Sequence, residues 1–157
     1  MDGGYSMSIQ VIVYSRNGFA AETLCNDSNV EDFVNDYFIC INATENIHSE
    51  PFFKKDHDNV LNMYFDDVLE DTVKYFGPTD SEFKCYAKAC TVSQAKQMHN
   101  FIKHIPESSR LHIYCTKGKS RSVAVAKYVN EVVNGILSTD DGHNILVYEL
   151  LRCLNSK

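Results

Sequence analysis

A cysteine and an arginine separated by five residues are the side chains of this chain best suited to chemistry on a phosphate ester. Cys115 is followed by Thr116-Lys117-Gly118-Lys119-Ser120 and then by Arg121. A thiolate is a strong nucleophile. The planar guanidinium of an arginine can bind two phosphoryl oxygens at once, which a lysine cannot do. Together the two side chains predict a site that binds a phosphoryl group and attacks it.

The elements on either side of this pair are expected to form an anion site. Residues 111–114 predict a buried strand, and residues 120–134 predict a helix whose apolar side chains cover most of its circumference. A loop that joins a strand to the start of a helix presents free N–H groups and the positive end of the helix dipole. Gly118 permits a tight turn at the centre of the loop. We expect the N–H groups and the helix dipole to favour the thiolate of Cys115.

The stretch resembles the phosphate-binding loop of cysteine-dependent protein-tyrosine and dual-specificity phosphatases, particularly the compact forms found in viruses and bacteria. The family pattern is Cys, five residues, Arg and then Ser or Thr, with Gly three residues after the Cys; Cys115, Gly118, Arg121 and Ser122 match it. The resemblance implies a phosphocysteine intermediate on Cys115 and a Ser122 hydroxyl that hydrogen-bonds the sulfur and helps it leave. It implies no metal and no cofactor. The residues that it assigns to phosphate binding are Thr116, Lys117, Gly118, Lys119, Ser120 and Arg121.

Phosphoryl transfer to a thiolate also needs a general acid to protonate the departing oxygen. An apolar strand predicted at residues 60–65 ends at Asp66-Asp67 and resembles the acid-bearing segment of the family. Its position makes Asp67 the first candidate and Asp66 the second. The separation of Asp67 from the cysteine is longer than in compact members, which leaves Asp71 and Asp80 as further candidates.

Tyr114 departs from the family pattern, because the residue before the nucleophile is usually a histidine. A phenol carries no positive charge near neutral pH, so we expect a higher thiol pKa and slower turnover than with histidine. The alternative function is a catalytically weak phosphate-binding module that captures a phosphorylated ligand. The intact Cys115, Arg121 and Ser122 favour an enzyme that acts on a phosphorylated protein or a small phosphorylated ligand.

Two further substrate classes remain open if the protein is an enzyme, and the first of them is indicated by the lysines of the loop. Lys119 occupies a position where lipid and inositol-phosphate phosphatases of the superfamily often carry a cation, and Lys117 adds a second charge. Such charges attract ligands that bear several phosphates. A triphosphatase acting on RNA 5′ ends is the other class, and the acidic net charge of the chain disfavours it.

The composition of the chain argues against several other kinds of function. The formal net charge of −6 over 157 residues argues against general nucleic-acid binding, and no apolar run approaches the roughly 20 residues of a membrane span. Six cysteines without an export signal are typical of reduced thiols, which predicts a cytoplasmic protein. Metal binding is not expected, because Cys85 and Cys90 lack zinc-site spacing relative to each other and to His57, His99 and His104.

The rest of the chain predicts an α/β fold with a mainly parallel central sheet flanked by helices, as the phosphatase resemblance implies. Residues 1–7 are expected to form a flexible extension and residues 8–157 a single domain. Residues 68–90 contain a turn at Gly77-Pro78 but no readable periodicity. Strands are predicted at 9–14, 38–41, 60–65 and 111–114, and helices at 18–25, 30–36, 91–105, 120–134 and 142–154.

Overall fold

The computed structural model describes residues 8–44, 50–76, 83–136 and 142–155. Within these residues, four parallel strands form one sheet in the order β1-β6-β2-β3, and β4 and β5 form an antiparallel hairpin. The strands are β1 (Gln10–Ser15), β2 (Asp36–Asn42), β3 (Val60–Tyr64), β4 (Thr72–Phe76), β5 (Phe83–Ala87) and β6 (Arg110–Cys115). The helices are α1 (Arg16–Glu22), α2 (Val92–Lys103), α3 (Arg121–Val132) and α4 (Ile145–Asn155). The prediction of an α/β fold with a mainly parallel sheet is confirmed.

The two faces of the sheet carry different cores because successive side chains of a strand point to opposite sides. On one face, Ile39 and Ile113 pack with apolar residues of α2, α3 and α4. On the other face, Phe38 and Tyr114 pack with Phe19 of α1. The central strands β2 and β6 are therefore covered on both faces, which explains their nearly continuous apolar sequences. No helix in the described part of the chain is long and apolar enough to cross a membrane.

Helix α2 joins the end of β3 to the helical layer through its first turn. A capping box begins the helix: Gln94 N donates to Thr91 Oγ1 at 3.1 Å, and Thr91 N donates to Gln94 Oε1 at 2.9 Å. The amide of Gln94 also donates to the carbonyl of Tyr64 at 2.7 Å. This bond places the start of α2 beside the last residue of β3, just before the aspartates at 66 and 67.

Two helix predictions near the N-terminus need correction. The helix predicted at 18–25 lies at Arg16–Glu22, because the Ser15 hydroxyl caps it by accepting from Gly18 N at 3.0 Å. The helix predicted at 30–36 is wrong. Only the 3-10 turn Val30–Asp32 forms there, because Asp36 already belongs to β2 and is held by side chains of β6.

Two other predicted regions differ in extent. The segment 68–90 contains the hairpin of β4 and β5, whereas residues 77–82 and the predicted extension 1–7 lie outside the described residues. The last helix begins at Ile145 instead of near 142, because the side chain of Asn144 accepts from Val147 N at 3.2 Å and caps it.

A charged network at the amino-terminal ends of β2 and β6 holds the two strands in register. Arg110 donates from Nε and Nη2 to the two carboxylate oxygens of Asp36, at 2.7 and 2.9 Å. His112 Nε2 lies 2.7 Å from Asp36 Oδ1, and its Nδ1 lies 2.8 Å from the Tyr14 hydroxyl of β1. The hydrogen bonds from Arg110 lower the pKa of Asp36, against the opposing effect of burial, and His112 adds to this lowering.

We expect Asp36→Asn to lower the free energy of unfolding at pH 7 by about 2 kcal/mol, because it weakens charge-assisted hydrogen bonds to a buried carboxylate. A depressed carboxyl pKa stabilises the fold above the unfolded value of about 3.9 and loses that effect as pH falls through the folded pKa. The deficit of the variant, measured by chemical denaturation from pH 7 to pH 3, should therefore shrink toward acid pH.

Glu50→Gln is the matched control. It removes a carboxylate whose ion pair with Lys54 is exposed to solvent, so no measurable change in unfolding is expected. A deficit for Asp36→Asn that stays constant across the pH range would contradict the assignment of Asp36 as a stabilising anion.

Candidate active site

The loop of residues 116–120 is pressed against the end of β1. Gly118 has φ 70°, and a Cβ there would lie 2.6 Å from Ser15 N and 2.7 Å from Tyr14 C. Arg16 N donates to the carbonyl of Thr116 at 3.3 Å. Only glycine satisfies both the positive φ and the close approach. The pairing of Ser15 with Cys115 in the sheet register brings the two strand ends together and so positions the loop.

The thiol of Cys115 lies at the base of this loop and is 2% exposed. Its Sγ is 3.1 Å from the hydroxyl oxygen of Ser122 in the first turn of α3. Burial by itself raises the pKa of Cys115. The hydrogen bonds from the Ser122 hydroxyl and from the backbone N–H groups of Ser122 and Ser120, together with the charge of Arg121, outweigh burial and lower the pKa. The site therefore favours the nucleophilic thiolate.

Arg121 is buried, with 6% of its surface exposed, and connects three parts of the site. Its Nη1 donates to the carbonyl of Phe65 at 2.8 Å, and its Nη2 donates to Thr116 Oγ1 at 3.1 Å. The buried Nε has no hydrogen-bond partner among the residues that the structure describes. An unpaired buried N–H of a charged group is costly, and a phosphoryl oxygen is an acceptor that would satisfy it.

The two candidate aspartates have different environments. Asp66 accepts hydrogen bonds from the backbone and hydroxyl of Thr44 and from Lys88 N, so its carboxylate joins neighbouring segments of the chain. Asp67 is exposed, and its Oδ1 accepts from Ser120 Oγ at 2.8 Å. This contact places the Asp67 carboxylate against the loop of residues 116–120, whereas Asp66 does not line the cavity around Cys115.

The further candidates for the general acid, Asp71 and Asp80, are not found at the site within the described residues. Asp71 accepts from Ala89 N at 2.8 Å and does not line the cavity around Cys115. Asp80 lies outside the described residues. The cavity has a volume of about 240 Å³, and its described lining is Asp67, Cys115, Thr116, Lys117, Lys119, Ser120 and Arg121. Among the aspartates considered from the sequence, Asp67 is the one that lines it.

Asn144 is a site residue that the sequence interpretation missed. It is 4% exposed and precedes α4, and its Nδ2 donates to Asp67 Oδ1 at 2.8 Å. Its backbone N donates to the carbonyl of Ser120 at 3.2 Å. An asparagine before an apolar helix is an N-cap signal, but nothing in the sequence indicates that the same amide holds a carboxylate 77 residues away. Asn144 links the start of α4 to both the loop and Asp67.

Tyr114 packs on the opposite side of the sheet from the thiol. Its hydroxyl donates to Asn42 Oδ1 at 2.6 Å and accepts from Phe52 N at 3.1 Å, and the residue is 1% exposed. Burial raises its pKa, so the phenol is neutral at physiological pH. Tyr114 therefore fixes the strand end and the segment before β3, and Cys115 receives its stabilising hydrogen bonds from α3 and the loop.

The described residues contain no group of three or more His, Cys, Asp or Glu side chains that could hold a metal ion. Cys25, Cys40, Cys90, Cys115 and Cys153 are free thiols. Cys90 is buried, and burial raises its pKa to about 12, which keeps it protonated. Cys115 is set apart from these cysteines by a lowered pKa together with a neighbouring arginine.

Searches against protein-family models, curated proteins and solved structures found no match to this chain.

We expect the pH profile of thiol alkylation to show Cys115 titrating below the ordinary thiol value, because hydrogen bonds and Arg121 stabilise the thiolate. Ser122→Ala removes the nearest hydroxyl and should move the profile to higher pH. The measurement is best made in a Cys153→Ser background, since Cys153 is exposed and would also react. Superimposable profiles with and without Ser122 would contradict a role of this hydroxyl in stabilising the thiolate.

Proposed function

We propose that this protein is a phosphomonoester hydrolase of the cysteine-dependent protein-tyrosine or dual-specificity phosphatase type, with a phosphocysteine intermediate and no metal. The observation that carries the proposal is the arrangement around Arg121. A buried guanidinium with an unpaired Nε lines the same cavity as a thiol of lowered pKa, at the start of a buried helix. The four parallel strands, with the loop between β6 and α3, support a phosphatase-like fold.

Substrate binding precedes the chemistry. The N–H groups at the start of α3 and the guanidinium of Arg121 attract the phosphoryl oxygens of a dianionic ester. Nη1 and Nη2 each use one N–H on Phe65 and Thr116, so the Nε N–H and the second N–H of Nη2 remain as a pair of donors for two phosphoryl oxygens. The fixed orientation of the guanidinium lowers the cost of organising the site in the transition state.

The first chemical step forms a bond between Cys115 Sγ and phosphorus while the bond from phosphorus to the leaving oxygen breaks. Asp67 supplies the proton to that oxygen. Its Oδ1 is held by Ser120 and Asn144, and its Oδ2 accepts no hydrogen bond from a described residue, so Oδ2 is the oxygen free to carry the proton. The products are the dephosphorylated alcohol and a phosphocysteine.

Water completes the cycle. The Asp67 carboxylate, which has now lost its proton, removes a proton from water as the water oxygen attacks phosphorus. The bond from sulfur to phosphorus breaks, and the Ser122 hydroxyl, 3.1 Å from Sγ, stabilises the departing thiolate. Inorganic phosphate leaves, and Cys115 returns to its starting state.

The competing function is a phosphate-binding module with little turnover, and the observation in its favour is Tyr114. Its neutral phenol occupies the position at which the family carries histidine and is engaged by Asn42 and Phe52. Both functions predict a phosphorylated protein or small phosphorylated ligand as partner. The unpaired thiols, including the exposed Cys153, favour a cytoplasmic location for either.

The direct test of the nucleophile uses a generic aryl phosphate. Cys115→Ser should abolish hydrolysis and retain phosphate binding, because the serine hydroxyl is a far weaker nucleophile in an intact loop. Arg121→Lys should lose both turnover and phosphate affinity, since a bidentate anchor contributes roughly 1.5–3 kcal/mol. Normal turnover of Cys115→Ser would contradict the proposed mechanism. Phosphate binding with no turnover by the unmodified protein would favour the binding module.

The dependence of the rate on the leaving group tells which aspartate is the general acid. Asp67→Asn should reduce the rate on a phosphate ester of a poorly acidic alcohol by roughly 10²–10⁴-fold, the usual contribution of general acid catalysis. The loss should be much smaller with an activated aryl phosphate, whose leaving group needs no proton. Asp66→Asn is the matched control, and it should affect stability through Thr44 and Lys88. The reverse assignment would follow if Asp66→Asn alone showed the leaving-group dependence.

A further inference from the structure

His57 lies between two carboxylates and is shielded from solvent. Its Nε2 is 2.8 Å from Asp27 Oδ1 and its Nδ1 is 2.8 Å from Glu31 Oε2, with 2% of the side chain exposed. The ring of Phe53 packs edge-on against it, with the ring centroids 6.2 Å apart. A neutral imidazole has a single N–H, so it can donate to one carboxylate and must turn a lone pair toward the other. Only the imidazolium, which has an N–H on each nitrogen, satisfies both contacts.

The two carboxylates also favour the charged ring electrostatically. Burial by itself lowers the pKa of His57, but the hydrogen bonds and charges of Asp27 and Glu31 outweigh burial and raise the pKa. The effect is mutual for Asp27: burial raises the pKa of its carboxyl, and the hydrogen bond to His57 with those from the backbone of Lys54 and Lys55 outweighs burial and lowers it. The contacts therefore hold one cation between two anions.

The other charged residues near His57 have partners of their own or are exposed to solvent. Lys54 Nζ pairs with Glu50 Oε2 at 2.7 Å, away from the ring. Asp56 Oδ1 accepts from Asn62 N at 2.8 Å. The remaining charged neighbours in the chain are exposed: Asp32, Lys55 and Asp58. Asp27 and Glu31 are therefore the charged groups in direct contact with the imidazole.

Asp27 connects the ring to the backbone that precedes it. Its Oδ1 contacts His57, and its Oδ2 accepts from Lys54 N at 2.9 Å. Two residues earlier in the chain, Phe52 N donates to the Tyr114 hydroxyl at 3.1 Å. Tyr114 is the residue of β6 directly before the thiol. The contacts of the ring thus lie at one end of a short segment whose other end touches the strand of the candidate active site.

We propose that His57 is a pH-dependent clamp, which holds the backbone of residues 52–57 against Tyr114 while its ring is protonated and loosens that backbone when the ring loses its proton. A neutral ring can donate to only one of the two carboxylates. The other carboxylate then faces a lone pair, and the arrangement that fixes Lys54 N is weakened. The Tyr114 hydroxyl, one residue before Cys115, in turn loses a fixed donor at Phe52.

The direction of the pH dependence follows from the raised pKa of His57. A group whose pKa is higher in the folded than in the unfolded state stabilises the fold fully below the unfolded value, about 6.5 for histidine. That effect is lost as the pH rises through the folded pKa. The clamp is therefore closed at acid pH and opens toward alkaline pH.

The first test follows the ring itself by NMR. The ring-nitrogen chemical shifts of His57 should show both nitrogens protonated at pH 6, and their titration should have a midpoint above the ordinary value of about 6.5. A neutral ring at pH 6, or a midpoint at or below the ordinary value, would overturn the proposal. This measurement requires no turnover, so its result is independent of whether the protein hydrolyses phosphate esters.

Hydrogen exchange of the Phe52 and Lys54 amides tests the clamp. Their protection, corrected for the intrinsic exchange rate at each pH, should fall roughly tenfold or more as the pH rises through the His57 midpoint, since a lost charge-assisted hydrogen bond changes local opening by such factors. The amide of Ile113, in the buried centre of β6, should keep its protection. Unchanged protection of Phe52 and Lys54 across the titration would contradict the clamp, even if the ring titrates as expected.

Three variants separate the clamp from other titrating groups. His57→Gln should leave the two amides weakly protected at every pH. Glu31→Gln changes a side chain that is 59% exposed, so it should fold normally, and it should move both the His57 midpoint and the loss of protection to lower pH. His104→Gln is the matched control, because His104 is exposed and its Nδ1 contacts only a carbonyl of the preceding turn at 2.7 Å. A pH dependence in Glu31→Gln identical to that of the unmodified protein would overturn the proposal.

Discussion

The buried guanidinium of Arg121 is the group on which the arrangement of the site depends, because its hydrogen bonds join segments that are distant in the chain. It begins α3, donates to Thr116 in the loop, and donates to the carbonyl of Phe65 just before the aspartates. A buried cation without enough acceptors would be costly, so these carbonyl and hydroxyl contacts also stabilise the fold. Its buried Nε has no hydrogen-bond partner among the described residues, which suits the same group to receive an anion.

Contacts of three other residues position the groups that surround Arg121. Gly118 lets the loop lie against the backbone of Tyr14 and Ser15, which no larger residue would allow. Ser122 provides the hydroxyl that offsets the burial of the Cys115 thiol. Asn144 caps α4 and holds Asp67 with the same side chain, so the helix and the proposed acid are positioned together. Together these contacts bring the Cys115 thiol, the guanidinium of Arg121 and the Asp67 carboxylate around one small cavity.

Much of the fold could be predicted from the sequence because its signals are local. The strands near residues 9–14, 38–41, 60–65 and 111–114 and the helices that begin near Thr91 and Ser120 follow from apolar periodicity and capping residues. The placement of Cys115, Gly118 and Arg121 in one loop follows from the strand before it and the helix after it. The helix expected at 30–36 fails because the ion pair of Asp36 with Arg110 and His112 outweighs local helical preference.

What could not be predicted depends on contacts between distant residues. His57 packs with only 2% of its side chain exposed, between Asp27 at 2.8 Å and Glu31 at 2.8 Å, and no periodicity of residues 54–58 indicates this. The same holds for the bond of Asn144 to Asp67 and for the different environments of Asp66 and Asp67. Sequence order cannot distinguish two adjacent aspartates at a strand end, because the choice depends on which way each side chain points.

The central claim is that Cys115 carries the phosphoryl group during turnover, and the most direct measurement is to trap that intermediate. Ser122→Ala should slow its breakdown, because the departing sulfur loses the hydroxyl that lies 3.1 Å away. Acid quenching during turnover of an aryl phosphate, followed by mass spectrometry of the proteolysed protein, should then show one added phosphoryl group on the peptide that contains Cys115. Turnover without any covalent adduct, or with the adduct on another residue, would contradict the account.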